Sequence, residues 1–326
     1  PDDSTLKLYH RKQASVEVKP ISESIDKVRL DSVTLPEKTP PGVPVPVTYK
    51  WSGSWKQLQS GLVLLSWHHD KDKIASESNS KSWLHDHGIG MGKLNSGALN
   101  PNQFSNSYQV IERTAMLPSL DVAVGNYQLS ATYLNRETGE TYPIAMPPVS
   151  LEIDPIATIP AAPELDLVTQ LRTSAVGLSK GLEGLEPIFA QTARINQYDP
   201  VQDYLIQVEQ ALEYRLNKGL GIGTTQHRNW AYALTLSRVL QQDIKGAIAA
   251  IKQLIELDSE NPYPYAYLAF IHLYDWNPTA AEKALKPAIE LKPNLPEIQA
   301  LRGITALMQG RFIKAWHNLS NLEIGS

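Results

Sequence analysis

The side chains best suited to chemistry lie in one stretch of this chain, residues 68–94, with the sequence HHDKDKIASESNSKSWLHDHGIGMGKL. It contains four of the chain's eight histidines, several carboxylates and three alternating glycines. Imidazole nitrogens and carboxylate oxygens are ligands that zinc and manganese accept. The stretch therefore offers a candidate ligand set for one divalent cation: His68, His69, Asp70, His85, Asp86 and His87.

A polar loop without a metal is the competing and favoured interpretation of this stretch. Successive side chains of an extended segment point to opposite sides, so His85 and His87 share one side while Asp86 faces away. His68 and His69 are opposed in the same manner. At most three of these groups converge without a special turn, and their spacing matches no established ligand motif.

The end of the stretch, GIGMGK, superficially resembles a loop that cradles phosphate. It lacks the Gly-x-x-x-x-Gly-Lys-Ser/Thr spacing and a strand-to-helix setting, so we expect no nucleotide there. The chain has no His-Glu-x-x-His pair of the zinc-protease type. Glu112, on a predicted strand, is expected to be a solvated surface carboxylate. The sequence leaves open whether the chain is an enzyme and favours a non-catalytic role without a cofactor.

Composition limits the classes of function that remain. With 326 residues the chain is long enough for two domains. Its net charge of -4 gives no electrostatic reason to expect a nucleic-acid partner. The absence of cysteine excludes disulfides and thiolate zinc sites. Because the chain starts at Pro1, we expect it to be a piece of a longer polypeptide, with any signal or anchor upstream.

The elements that must position residues 68–94 are predicted strands. Short runs with alternating or continuous apolar residues, separated by turn residues, predict an antiparallel β-sandwich over residues 1–153. The predicted runs are 28–35, 43–51, 61–69, 108–117, 125–134, 141–146 and 149–153.

Aromatic residues refine this prediction. The Gly-x-Tyr-x-Leu pattern at Tyr127 resembles the corner tyrosine of immunoglobulin-like domains, which implies an immunoglobulin-like sandwich and a structural role for this side chain. Four tryptophans in the same half could form a sugar-binding platform, but a place in the core is favoured. They are Trp51, Trp55, Trp67 and Trp83.

The second half of the chain changes character. Residues 154–163 contain Pro155, Pro160 and Pro163, which predicts a stiff linker without helix or central strand. Apolar residues beyond it recur at spacings of three and four, which predicts an α-helical domain over residues 164–326.

A period of 34 residues divides the end of this domain into segments 228–261, 262–295 and 296–326. Their eighth positions are Thr235, Ala269 and Gly303, and their twentieth positions are Ala247, Ala281 and Ala315. Small residues at both positions let two helices approach closely. The period and these residues resemble tetratricopeptide repeats, which implies an α-helical solenoid of stacked helix pairs.

The resemblance also implies a binding surface. In such repeats the second, fifth, ninth and twelfth positions line the inner face of the solenoid, which binds peptide segments of protein partners. Here these positions, which we call the inner face, are mostly apolar and aromatic: Asn229, Tyr232, Leu236, Val239, Tyr263, Ala266, Phe270, Leu273, Glu297, Ala300, Ile304 and Leu307. The residues predicted to contact a partner are Asn229, Tyr232, Leu236, Tyr263, Phe270, Leu273, Glu297 and Ile304. The alternative is that the chain's own preceding helices cover this surface.

A further resemblance concerns the first half. The segments VPVPVTYKWSGSWKQLQSGLVLLSW, WLHDHGIG and NYQLSATYLNRETGETYPI are similar to extracytoplasmic sandwich domains that follow membrane-embedded, glycosyltransferase-like regions in cyanobacterial proteins. This implies a membrane-associated location in a periplasm or lumen, with a membrane-protein neighbour or a membrane-embedded part upstream; a cytoplasmic location stays open.

Two functions follow from these patterns as hypotheses. The leading one is a non-catalytic scaffold or assembly module that binds a partner segment through its repeats. The alternative is the soluble domain of a membrane glycosyltransferase or envelope-polysaccharide protein, with residues 68–94 contributing to substrate or metal binding.

Overall fold

The computed structural model describes residues 13–70, 82–94, 107–198, 202–220 and 225–320. The chain forms two compact units, Pro1–Gln170 and Leu171–Ser326. The first is rich in β-strands and the second is a stack of helices, as the sequence predicts.

The first unit consists of short and medium strands with one short helix. Its elements are β1 (Ser15–Ile21), β2 (Arg29–Thr34), β3 (Lys38–Thr39), β4 (Val45–Gly53), α1 (Trp55–Ser60), β5 (Gly61–His69), β6 (Trp83–Leu84), β7 (His87–Gly88), β8 (Ser107–Met116), β9 (Gly125–Asn135), β10 (Thr141–Pro143) and β11 (Ser150–Ile153). Each predicted run contains a strand, and β1, β3, β6 and β7 come in addition.

The strands form two sheets over one core. The first has the order β1-β8-β4-β2, and the second has the order β3-β11-β9-β5-β6, with β10 on β9 and β7 on β5. Strand β4 buries its alternate residues Val45, Val47, Tyr49 and Trp51, which gives this sheet one core face. Strand β5 is buried on both faces from Gly61 to its seventh residue, which explains its continuous apolar run.

The predicted aromatic core is present. Trp51, Trp67 and Trp83 are buried, and the last two stack with ring centroids 5.4 Å apart. Trp55 packs against the core while partly buried. The buried Tyr127 donates a hydrogen bond from its hydroxyl to the carbonyl oxygen of Ala123, at 3.1 Å, which is the structural role predicted for it.

Residues 154–164, which include the predicted linker 154–163, contain no helix or strand. The boundary between the two compact units nevertheless falls between Gln170 and Leu171, several residues after the predicted linker. The reason is that Leu165 forms a bridge to Ala115, and the next residue, Asp166, is buried. Residues 164–170 therefore belong with the strands.

The helices are α2 (Leu167–Ser174), α3 (Leu182–Tyr198), α4 (Asp203–Asn217), α5 (Thr225–Leu240), α6 (Ile244–Leu257), α7 (Pro262–Tyr274), α8 (Pro278–Leu291), α9 (Pro296–Met308) and α10 (Phe312–Ser320). A 3₁₀ segment, Ala175–Lys180, separates α2 from α3. None of the helices in the described part of the chain has both the length and the apolar character needed to cross a membrane.

The helical repeats follow the predicted period. Helices α6, α8 and α10 begin at Ile244, Pro278 and Phe312, which are 34 residues apart. Local signals fix the start of α8: the Asn277 side chain accepts a hydrogen bond from the third residue of the helix, and proline occupies the first turn. A Cβ atom on Gly303 would lie 2.5 Å from the Leu319 side chain, so helices α9 and α10 approach closely at the predicted small position.

Candidate functional site

The histidine-rich stretch returns to the sheet. Strand β6 pairs Trp83 with Trp67, and β7 pairs His87 with Val63, so both run along β5. Residues 71–81 lie outside the described residues. The described second half of the stretch is therefore part of the sheet rather than a free loop.

The six predicted metal ligands do not come together. His85, Asp86 and His87 are buried. His68 and His69 lie at the end of β5, where their Nε2 atoms are 3.0 Å from the Ser130 hydroxyl and 3.4 Å from a backbone carbonyl. Within the described residues, no group of three or more histidines and carboxylates has a geometry that could hold a metal. The geometry thus gives the metal hypothesis no support, and residues 68–70 remain candidates by sequence alone.

Instead, His87 lies against a buried carboxylate. Its Nε2 is 3.0 Å from Oε2 of Glu112, and the side chains of both residues are at most 1% exposed. Trp51 donates its indole Nε1–H to the same oxygen at 2.7 Å, and the backbone N–H of Gly90 donates to Oε1. The backbone amide of Gly90, which a phosphate-binding loop would use, is therefore bonded to Glu112. The expectation that Glu112 is a solvated surface carboxylate is wrong, because its side chain is completely buried.

A second imidazole–carboxylate pair lies beside the first. His85 Nε2 is 3.1 Å from Oδ2 of Asp166, and its Nδ1 is 2.9 Å from the Tyr49 hydroxyl. The other oxygen of Asp166 accepts a hydrogen bond from the Thr169 backbone N–H at 2.9 Å, which caps the first turn of α2. The His85 and His87 ring centroids are 4.8 Å apart, so the two pairs form one buried network.

Burial and neighbouring charges shift the pKa values in this network. Burial alone would lower the pKa of His87, but the charge and hydrogen bond of Glu112 outweigh it and raise that pKa to about 9. Burial would raise the pKa of Asp166, but its hydrogen bond to His85 and the nearby imidazole charges hold it below its usual value. Burial, reinforced by the two carboxylates, raises the pKa of Tyr49 well above 10.

The order Tyr49, His85, Asp166 is that of a hydroxyl–imidazole–carboxylate relay. These side chains are almost completely buried, so a substrate has no route to the hydroxyl in this structure. The arrangement can hold charge and join β4, β7, β8 and the start of α2. We therefore assign it a structural role.

The sequence contained one signal for this network, namely a glutamate at a core-facing position of β8. Glu112 stands opposite Tyr49 in the β4–β8 pairing and shares the alternation of Tyr108 and Val110, which are buried. A carboxylate at a core-facing position requires a buried partner. Asp166 carried only a helix-cap signal, and its pairing with His85 spans 81 residues of sequence.

Sequence reasoning also missed a Gly-x-Ser-x-Gly pattern at residues 177–181. Serine hydrolases place this pattern at a strand-to-helix turn. Here it lies on the 3₁₀ segment that follows α2, and the Ser179 hydroxyl donates to the carbonyl of Val176 at 2.8 Å. That setting gives no support to a nucleophile.

The inner face of the repeats is divided into a covered part and an open part. Tyr232, Leu236, Ala266 and Leu273 are buried, and Asn229, Val239, Tyr263, Glu297 and Ala300 are partly buried. Phe270, Ile304 and Leu307 are exposed by 54%, 42% and 49%. Tyr274, one turn after Phe270, is 57% exposed.

The chain's own 3₁₀ segment lies against the start of the inner face. Tyr267 donates its hydroxyl hydrogen to the carbonyl of Leu178 at 2.7 Å, and Asn261 donates its amide to the carbonyl of Ser179 at 3.0 Å. Gly181, at φ +68°, lies so close to the Tyr263 ring that a Cβ atom there would overlap it. The chain therefore covers the start of the inner face itself. Phe270, Ile304 and Leu307, at its end, are exposed.

These features place the second unit in the class of helical-repeat proteins. Comparison with protein-family models and with curated proteins finds no match. Among solved structures, the chain is similar to a crystal structure of MamA, with 15% identity and a TM-score of 0.28, over 48% of this chain and 92% of that one. A second crystal structure of MamA has 14% identity and a TM-score of 0.27, over 48% of this chain and 98% of that one. At this sequence identity and TM-score, the similarity to MamA gives no information on a partner or an activity of this chain.

Proposed function

We propose that this chain is an interaction scaffold whose repeats bind an apolar segment of a partner protein at the open end of the inner face. The open end consists of Phe270, Tyr274, Ile304 and Leu307. The observation that carries the proposal is the exposure of three of these residues, Phe270, Ile304 and Leu307, at inner-face positions, with the exposed Tyr274 one turn after Phe270. Phe270 and Ile304 hold the same position in successive repeats, and equivalent positions of stacked repeats lie side by side.

The covered end supports a peptide as the occupant. There Tyr267 and Asn261 donate to main-chain carbonyls of the 3₁₀ segment, so the surface reads backbone geometry rather than a particular side chain. Peptide grooves commonly combine such main-chain contacts with apolar anchors. The open end supplies apolar anchors for a second segment.

Two finer features belong to the same proposal. The first unit is of the immunoglobulin-like type, which is supported by the hydrogen bond from Tyr127 to the backbone four residues upstream. An extracytoplasmic, membrane-associated location beside a membrane protein rests on the sequence resemblance alone. Protease treatment of intact and lysed spheroplasts tests that location. Digestion of the chain only after lysis would contradict it.

The alternative, a soluble domain of a membrane glycosyltransferase or envelope-polysaccharide protein, has no specific observation in its favour. Burial of His85, Asp86 and His87 removes half of the proposed substrate or metal contacts from solvent.

A crosslinking experiment tests the scaffold proposal. The full chain, with a photoreactive benzoylphenylalanine in place of Phe270, is irradiated in its own cells, and the captured protein is identified and purified. We expect the double variant Phe270→Ala/Ile304→Ala to bind that protein at least about tenfold more weakly, because each truncation removes an anchor of about 1 kcal/mol or more.

The matched control is Leu257→Ala, at an exposed leucine at the end of the outer helix α6. It should bind as the unaltered chain does. Equal affinity of the double variant and the unaltered chain would show that the open end is not the binding surface.

A further inference from the structure

The 3₁₀ segment Ala175–Lys180 depends on the repeats for its conformation. It runs for six residues, and the Ser174 hydroxyl at its start donates backwards to the carbonyl of Leu171 instead of capping it. Helices of this type have poor hydrogen-bond geometry and seldom exceed about four residues. The segment contacts α5 and α7, and its Leu178 side chain is buried. Contacts with the repeats therefore hold the segment in place.

The surface beneath the segment is organised by the repeats themselves. We call this surface the covered site, and it consists of Tyr232, Asp258, Asn261, Tyr263 and Tyr267. Asp258 Oδ2 accepts hydrogen bonds from the Tyr232 hydroxyl at 2.6 Å and from the Asn261 amide at 3.1 Å. Arg228 pairs with the other oxygen of Asp258 at 3.3 Å. All four of these side chains belong to the first repeat, so their bonds do not require the segment.

The segment presents three features to the covered site. Two of its main-chain carbonyls accept hydrogen bonds from Tyr267 and Asn261. Its Leu178 side chain is buried. Gly181 follows the segment directly and lies against Tyr263, where a Cβ atom would be 2.1 Å from the ring. The covered site therefore holds a turn with the pattern Leu-x-x-Gly in the manner of a bound peptide.

We infer that residues 175–181 are an intramolecular competitor, which occupies the covered site until a partner segment with a Leu-x-x-Gly turn displaces it. The inference rests on the proposed function, because it extends the partner surface from the open end of the inner face to its start. The partner leucine takes the place of Leu178, its glycine fits against Tyr263, and two of its main-chain carbonyls accept the two side-chain hydrogen bonds. The structure shows an occupant of this chemistry bound at the site.

Release of the segment leaves the polar groups of the covered site largely satisfied. Asn261 and Tyr232 keep their hydrogen bonds to Asp258. Tyr267 exchanges its bond for one to the incoming carbonyl. The competing segment is attached to the same chain, so its effective concentration is of about millimolar order. A competitor therefore binds with an apparent affinity that is reduced by the fraction of molecules in which the site is open.

A labelled peptide of residues 173–184, TSAVGLSKGLEG, is the probe for the covered site. Its binding to the full unaltered chain and to the full-length variant Leu178→Asp is measured by fluorescence anisotropy. The variant carries a charge where its own segment needs a buried leucine, so its segment leaves the site open. We expect the peptide to bind Leu178→Asp at least about tenfold more tightly than the unaltered chain.

Lys180→Asp is the matched control, because it introduces the same side chain at an exposed position of the segment. It should bind the peptide as weakly as the unaltered chain does. A peptide that carries Leu178→Asp should bind neither protein. In the Leu178→Asp chain, a second change, Tyr267→Phe, should weaken peptide binding about threefold or more, because one hydroxyl donor is lost.

Gly181→Ala opens the segment by a second route and should also tighten peptide binding, so the test does not depend on the folding of Leu178→Asp. Circular dichroism verifies that each variant keeps its helices. The inference is overturned if the peptide binds neither Leu178→Asp nor Gly181→Ala, or if it binds the unaltered chain equally well. A dimer of the unaltered chain that Leu178→Asp abolishes in sedimentation would also overturn it, because the segment would then cross between copies.

The proposed function and this inference can fail separately. Peptide binding to Leu178→Asp reports on the covered site alone. The effect of Phe270→Ala/Ile304→Ala on the captured partner reports on the open end of the inner face.

Discussion

At the scale of single residues, His87 and Glu112 form a buried pair of an imidazole and a carboxylate. Removing an imidazole and a carboxylate from water costs several kcal/mol for each charge, which their mutual attraction and added hydrogen bonds must offset. Trp51 and Gly90 provide those added bonds. Removing one partner leaves the other buried without compensation.

This pair predicts a specific pH dependence. The folded pKa of His87 is raised from 6.5 to about 9. A raised pKa means that the stabilisation is fully present below about pH 6.5 and is lost as pH rises through about 9, with a size of about 3 kcal/mol. Urea unfolding of the full chain between pH 6 and pH 10 should show this fall in the free energy of unfolding of the first unit.

Glu112→Gln should lower the free energy of unfolding at pH 6 by about 3 kcal/mol and flatten its decline towards pH 10, because the group that raises the His87 pKa is gone. Glu137→Gln, at an exposed position, should change neither quantity. An unaltered slope in Glu112→Gln would assign the pH dependence to another group.

At the scale of elements, close helix packing depends on the small residues of the repeats. Ala269 is completely buried between α7 and α8, in one cluster with Leu273, Ala281 and Leu285. Added methyl groups at such a position force neighbouring side chains or backbone to shift.

Ala269→Leu should therefore lower the free energy of unfolding of the helical unit by about 1–3 kcal/mol. Ala249→Leu, on the exposed side of α6, is the matched control and should stay within about 0.5 kcal/mol of the unaltered chain. Thermal unfolding followed by circular dichroism at 222 nm measures both. Equal stability of the two variants would mean that the helix pair is not tightly packed at this position.

Elements differ in how far the sequence predicts them. Strands β4 and β9 each alternate buried and more exposed residues over seven positions, and α7 and α8 have capping residues with proline at their start. Strands β6 and β7 have two residues each, too few for any periodicity, and they exist only because β5 offers them hydrogen-bonding partners. The 3₁₀ segment likewise lacks a local pattern of its own.

At the scale of the whole molecule, the chain itself covers part of the inner face of its repeats. Gly181 makes this possible, since its φ of +68° and its contact with the Tyr263 ring exclude a side chain. The cover of the inner face by the 3₁₀ segment therefore includes one close approach that excludes any side chain at position 181.

Gly181→Ala should loosen the 3₁₀ segment, because the new methyl group overlaps the Tyr263 ring. We expect hydrogen exchange of residues 175–181 to be at least about tenfold faster, equivalent to a local loss of about 1.4 kcal/mol. Gly310→Ala is the control: its φ is +71° and no atom lies within 4 Å of the added methyl, so it carries the same backbone strain without the overlap. Unchanged exchange in Gly181→Ala would contradict the tight contact.

The sequence by itself determined the two kinds of architecture, the main strands, the helix pairs and the candidate inner face. These features depend on period, capping and small residues, which act over a few neighbouring positions. The tertiary structure decided which of the candidate side chains are buried and which are exposed to solvent. It buried His85 beside Asp166, 81 residues away. It also covered the start of the inner face with Leu178, 89 residues before the tyrosine that binds its carbonyl. Contacts between residues so far apart arise from the packing of whole elements, and no local pattern records them.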